Sequence, residues 1–81
     1  MKYSTGEIVE IGDNVGLGDD LEGVVVCNFD LRQYTMDFTE IEWGHLKSGV
    51  LIRFPKFGLI HYEHQVEREL FLIGRKQTNI L

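Results

Sequence analysis

Cysteine, histidine and clustered carboxylates are the side chains here with chemistry to offer, and their spacing decides what they can do. The one cysteine, Cys27, ends a valine run and has Asn28 and Asp30 beside it. A nucleophilic thiol needs an electropositive, partly exposed setting and a neighbouring base, so Cys27 is expected to be a buried structural thiol. His61 and His64 fall on opposite faces of any strand that holds both. That leaves His45, His61 and Glu63 as the one metal set worth naming, against the simpler reading of three unrelated histidines. Counting a calcium loop from Asp13 puts Val15 and Leu17 at ligand positions, and the pattern fails. Gly16-Leu17-Gly18 lacks the spacing and the lysine of a phosphate loop. No enzyme activity, resident metal or cofactor is expected.

One stretch has the composition of a recognition surface. From Tyr34 to Trp43 the chain interleaves Tyr34, Met36, Phe38 and Trp43 with Asp37, Glu40 and Glu42. Aromatic anchors rimmed by charge are what protein interfaces present. Tyr34, Phe38 and Trp43 are the expected anchors, and Asp37, Glu40 and Glu42, with Asp30, would steer a basic partner. The alternative is that Phe38 and Trp43 only lid the core. A basic-aromatic patch for nucleic acid, built from Arg53, Phe54, Lys56, Phe57 and Tyr62, runs against the net charge of −5, because an acidic protein repels phosphates. Nucleic acid is not an expected partner.

Charge is unevenly laid out. Residues 1–42 hold ten acids against Lys2 and Arg32, a balance of −8; residues 43–81 hold six bases against Glu63, Glu67 and Glu69, a balance of +3. If the fold separates these halves, one face attracts basic proteins; otherwise the acids serve solubility. A single cysteine allows no internal disulfide, which favours a reducing compartment. The polar start at residues 1–5 does not read as a leader, and no apolar run is long enough to span a membrane. A cytoplasmic location is expected.

Several elements must position these residues. Short Val- and Ile-rich runs separated by Gly and Asp are the rhythm of an all-β domain. Strands are predicted at 7–11, 15–17, 23–28, 49–54, 58–62 and 69–73, with a polar loop over 18–23. Val24, Val25 and Val26 in sequence imply a central strand buried on both faces. Residues 30–48 form a long connection, in which Thr39 and Glu42 fit a capping box and Phe38 and Trp43 a hydrophobic staple around a short helix. Asp30-Leu31-Arg32-Gln33 is a weaker capping pattern. Pro55-Lys56-Phe57-Gly58 is predicted as a four-residue hairpin loop pairing Phe54 with Leu59, Ile52 with His61 and Val50 with Glu63. The predicted fold is one small mostly-β domain over residues 1–75, with a flexible tail at 76–81. Its architecture is a five- to six-stranded barrel or strongly curled antiparallel sheet of the Src-homology-three type, with a short helical excursion.

Ile11-Gly12-Asp13-Asn14-Val15, Gly23-Val24-Val25-Val26-Cys27, the run from Glu42-Trp43-Gly44-His45 to Leu51-Ile52, and Gly58-Leu59-Ile60-His61-Tyr62 together resemble a group of short, acidic bacterial proteins. The resemblance spans most of residues 6–74. That group is associated with genes beside polymorphic toxins, so the chain is similar to immunity proteins. The resemblance implies a non-enzymatic inhibitor that docks an acidic face on a basic toxin domain, and it assigns no site residue. The competing readings are a structural or regulatory homo-oligomer, such as a homodimer joined at a strand edge, and a small histidine-using metal protein.

Overall fold

The computed structural model describes residues 1–75, and the expected tail lies outside them. Along the chain run β1 (Asn14–Leu17), β2 (Asp20–Asn28), α1 (Glu40–Trp43), β3 (Val50–Phe54), β4 (Gly58–Tyr62) and β5 (Phe71–Gly74). The strands form one antiparallel sheet in the order β4-β3-β2-β1-β5. The last strand thus returns to pair with the first. The protein is mostly β, as expected. Its sheet is open, with β4 and β5 as edges and no ladder joining them among the described residues.

The valine strand β2 lies at the centre of the sheet, as its composition predicts. Two irregularities shape it. Val15 pairs with Gly23 but Leu17 with Asp20, so β2 carries an extra residue against β1. Val25 pairs with Ile52 but Cys27 with Leu51, so it carries another against β3. Each bulge bends the strand and resets the alternation of faces. Val25 therefore packs on one face, while Val26 and Cys27 both pack on the other.

Each face builds its own cluster. On the inner face Val15, Val25, Val50, Ile52, Phe54 and Tyr62 meet Tyr3 and Val9 from the N-terminal segment and Val66 and Leu70 from the approach to β5. On the outer face Val26, Cys27 and Leu51 meet Phe29, with Tyr34, Phe38, Trp43 and Leu46 of the 30–48 connection packed over them. Burial on both faces is what the unbroken apolar runs of β2 and β3 require.

Buried carboxylates fasten the pieces. Asp13 is 1% exposed and accepts from the Tyr3 hydroxyl at 2.5 Å, the Glu10 amide at 2.9 Å and Arg75 Nε at 3.1 Å. The N-terminal segment, the start of β1 and the residue after β5 thus share one acceptor. Asp20 is also buried and accepts the Lys56 amide at 2.7 Å, tying the β1–β2 turn to the β3–β4 turn.

Four expectations need correction. Residues 7–11 are not a sheet strand: only Ile8 is bridged, to Lys2, in a tight N-terminal loop where the Tyr3 amide bonds the Glu7 carbonyl. The loop at 18–23 shrinks to a turn at Gly18-Asp19, because β2 begins at Asp20. Asp30-Leu31-Arg32-Gln33 forms a turn, not a helix; Asn28 and Gln33 exchange backbone hydrogen bonds across it and Arg32 takes φ +55°. The hairpin register is one residue from the expected one, with Phe54 opposite Gly58, Ile52 opposite Ile60 and Val50 opposite Tyr62. Its loop is three residues, because Gly58 at φ +80° enters the strand as the left-handed residue that ends such loops. A one-residue slip exchanges faces, so Ile60 and Tyr62 join the inner cluster and Leu59 lies beside Arg53 outside.

Candidate functional site

The connection from Phe29 to Gly49 is held at both ends. The Phe29 amide donates to the Gly49 carbonyl, and the Gly49 amide donates to Asp30 Oδ1 at 3.0 Å. Gly49 is at φ +88°, and a Cβ there would lie 1.9 Å from the Tyr62 carbonyl oxygen. Only glycine closes this neck.

Within it, Thr35 and Phe38 exchange both backbone hydrogen bonds, which leaves Met36 and Asp37 as the tip of a two-residue turn. The Thr35 hydroxyl donates to the Val26 carbonyl at 2.9 Å, and the Cys27 thiol lies 3.5 Å from the Phe38 carbonyl oxygen that accepts it. The turn is therefore stapled to β2, and its tip is presented rigidly. Met36 is 92% exposed.

The helix α1 follows, with Thr39 as N-cap. Neither half of the expected capping box forms: the Thr39 side chain makes no cap hydrogen bond. The expected staple is present, with the Phe38 and Trp43 rings 6.0 Å apart. Trp43 also stacks on His45, and the Phe29 ring meets Tyr34 and His61 edge-on. Helix α1 turns Ile41 outward, 97% exposed, between Glu40 and Glu42.

The six residues singled out from the sequence therefore divide. Asp37, Glu40 and Glu42 are exposed, while Tyr34, Phe38 and Trp43 are half-buried, lying over the outer cluster. The fully presented apolar side chains are Met36 and Ile41, which composition alone does not separate from core. The signal for Met36 was its place beside Asp37, a turn-forming residue; no glycine or proline marks that turn.

Beneath the Met36 tip lies a cleft of about 530 Å³, lined by Val24, Val26, Thr35, Met36, Asp37, Phe38 and Arg53. The side chain of Arg53, next to last in β3, makes no hydrogen bond or ion pair with any described residue, and neither does that of Asp37. The cleft is apolar-floored with one charge of each sign at its walls.

The other reactive groups are occupied. Burial pushes the Cys27 thiol up to about 11, which makes it a poor nucleophile. His61 Nε2 donates to the Ser48 carbonyl at 2.8 Å. Among the described residues no three His, Cys, Asp or Glu side chains converge to hold a metal ion, so His45, His61 and Glu63 are not brought together. No helix among them is long and apolar enough to cross a membrane.

Compared with protein-family models, with curated proteins and with solved structures, the chain finds no match.

Proposed function

We propose that this chain is a non-enzymatic protein-binding module of the immunity type, working in the cytoplasm, that sets an acidic face against a basic partner such as a toxin domain. The observation that carries this is the stapled turn and short helix, which hold Met36 and Ile41 out among Asp37, Glu40 and Glu42. A backbone already fixed has little loop-ordering entropy left to lose on docking, and the carboxylates around the apolar side chains speed encounter with a positive surface. Tyr34, Phe38 and Trp43 support the face from below. The β1–β4 meander, bent by the bulges of β2 and extended by β5 returning to β1, fits a small Src-homology-three-type barrel left open between β4 and β5.

The test is titration of the product of the adjacent gene into the protein at rising salt. Binding should weaken steeply with salt, and reversal of Asp37, Glu40 and Glu42 to lysine should lower affinity on the order of a hundredfold. Affinity indifferent to both salt and reversal overturns the reading.

A further inference from the structure

The 30–48 connection covers only half of the outer sheet face. A row of paired residues, Gly74, Asn14, Val24, Arg53 and Leu59, crosses all five strands, with Val24 at the margin of the cover, against the outer cluster. Leu59 in this row and Leu21 beside it are exposed, and so are Phe71 and Ile73 on β5, while the Phe71 ring lies over Gly16. With Met36 these side chains make an exposed apolar strip, interrupted by Asn14 and Arg53. Exposed apolar strips of this kind mark interaction sites.

The charges say what covers it. Arg53 and Asp37 line the same cleft and neither is engaged by a described residue. A uniformly basic partner would set a like charge against Arg53, and a uniformly acidic one against Asp37. A surface with one unengaged charge of each sign across an apolar floor is complementary to itself under a two-fold rotation. The same rotation would turn the exposed Met36 of one copy toward the cleft of the other. We propose that two copies of this chain pair through the open half of the outer sheet face, with Arg53 of each copy against Asp37 of the other. Asp37 also belongs to the face proposed for the basic partner, so the two associations compete at that carboxylate.

Sedimentation velocity on the full chain, from micromolar to millimolar concentration, tests this without any partner. A reversible monomer–dimer equilibrium is expected. Arg53→Asp and Asp37→Arg should each raise the dissociation constant about tenfold or more. The combined variant should return it to within about threefold of the original, because the pair is re-formed with its signs exchanged. Both side chains are exposed, and circular dichroism checks that each variant folds; Met36→Glu, at the turn tip, gives an independent loss of dimer. A monomer at millimolar concentration overturns the proposal. So does a dimer unmoved by the single changes, or a combined variant no tighter than the weaker single one.

Discussion

Removing the Asp13 carboxylate strands three donors at once: the Tyr3 hydroxyl, the Glu10 amide and Arg75 Nε. Asp13→Ala should therefore cost about 3 kcal/mol, read by urea unfolding, while Tyr3→Phe, which removes one donor, should cost about 1.5 kcal/mol. The same neighbourhood sets the response to alkali. Burial, then the hydrogen bond to Asp13, raises the Tyr3 phenol; burial, then Glu67, raises Tyr62; burial alone raises Cys27. Each group ionises more readily in the unfolded chain than in the folded one. Their contribution is complete below the unfolded values and is lost as pH rises through the folded ones. Stability should hold up to about pH 9 and fall steadily above it. In an alkaline titration, the phenolate absorbance of Tyr3 and Tyr62 should appear together with loss of circular dichroism. Phenolate formation from all three tyrosines in a still-folded protein would contradict this.

At the scale of elements, the two left-handed glycines around the β3–β4 hairpin ask different things of the sequence. Gly49 is hemmed by the Tyr62 carbonyl and by Glu63, whereas a Cβ added at Gly58 would point into open space. Gly49→Ala should cost about 3 kcal/mol or more through clash and strain together, and Gly58→Ala about 1 kcal/mol through strain alone. Comparable losses at the two positions in thermal unfolding would show that the neck at Gly49 yields. Strand identity was legible here: β2, β3, β4 and β5 stand close to where their apolar runs place them, and α1 follows Thr39. Register was not. Whether Gly58 belongs to the loop or the strand turns on one backbone angle, and that angle decides which face Leu59, Ile60 and Tyr62 take. The bulges of β2 were equally hidden, because Val25, Val26 and Cys27 look alike to any reading of hydrophobicity. The N-terminal segment, with Ile8, Val9 and Ile11, reads as a strand by composition. It instead folds back on itself and delivers Tyr3 and Val9 to the inner cluster.

Taken whole, the molecule is one sheet dressed on both sides, and what dresses each side was unequally visible in its sequence. The outer cover announces itself as a long connection rich in aromatics and acids. The inner cover, assembled from residues 1–9 and 63–70, carries no such signature because its buried residues are scattered. The candidate site was legible as a segment but not as a surface. Asp37, Glu40 and Glu42 are exposed, yet Arg53 and the cleft depend on how the connection lies across the sheet, which the neck at Asp30 and Gly49 and the bonds of Thr35 and Cys27 fix together. The pairing of β5 with β1 has a consequence for the order of assembly. During synthesis the β1–β2 and β3–β4 hairpins emerge in turn and can pair locally. The outer edge of β1 stays bare until residues 71–75 leave the ribosome, some fifty-five residues of chain later. Until then Arg75 cannot reach Asp13, and a nascent strand edge stands open to other chains. The acidic residues crowded into the first half are therefore well placed as guards for that interval, keeping growing chains apart by repulsion before the sheet has its last strand.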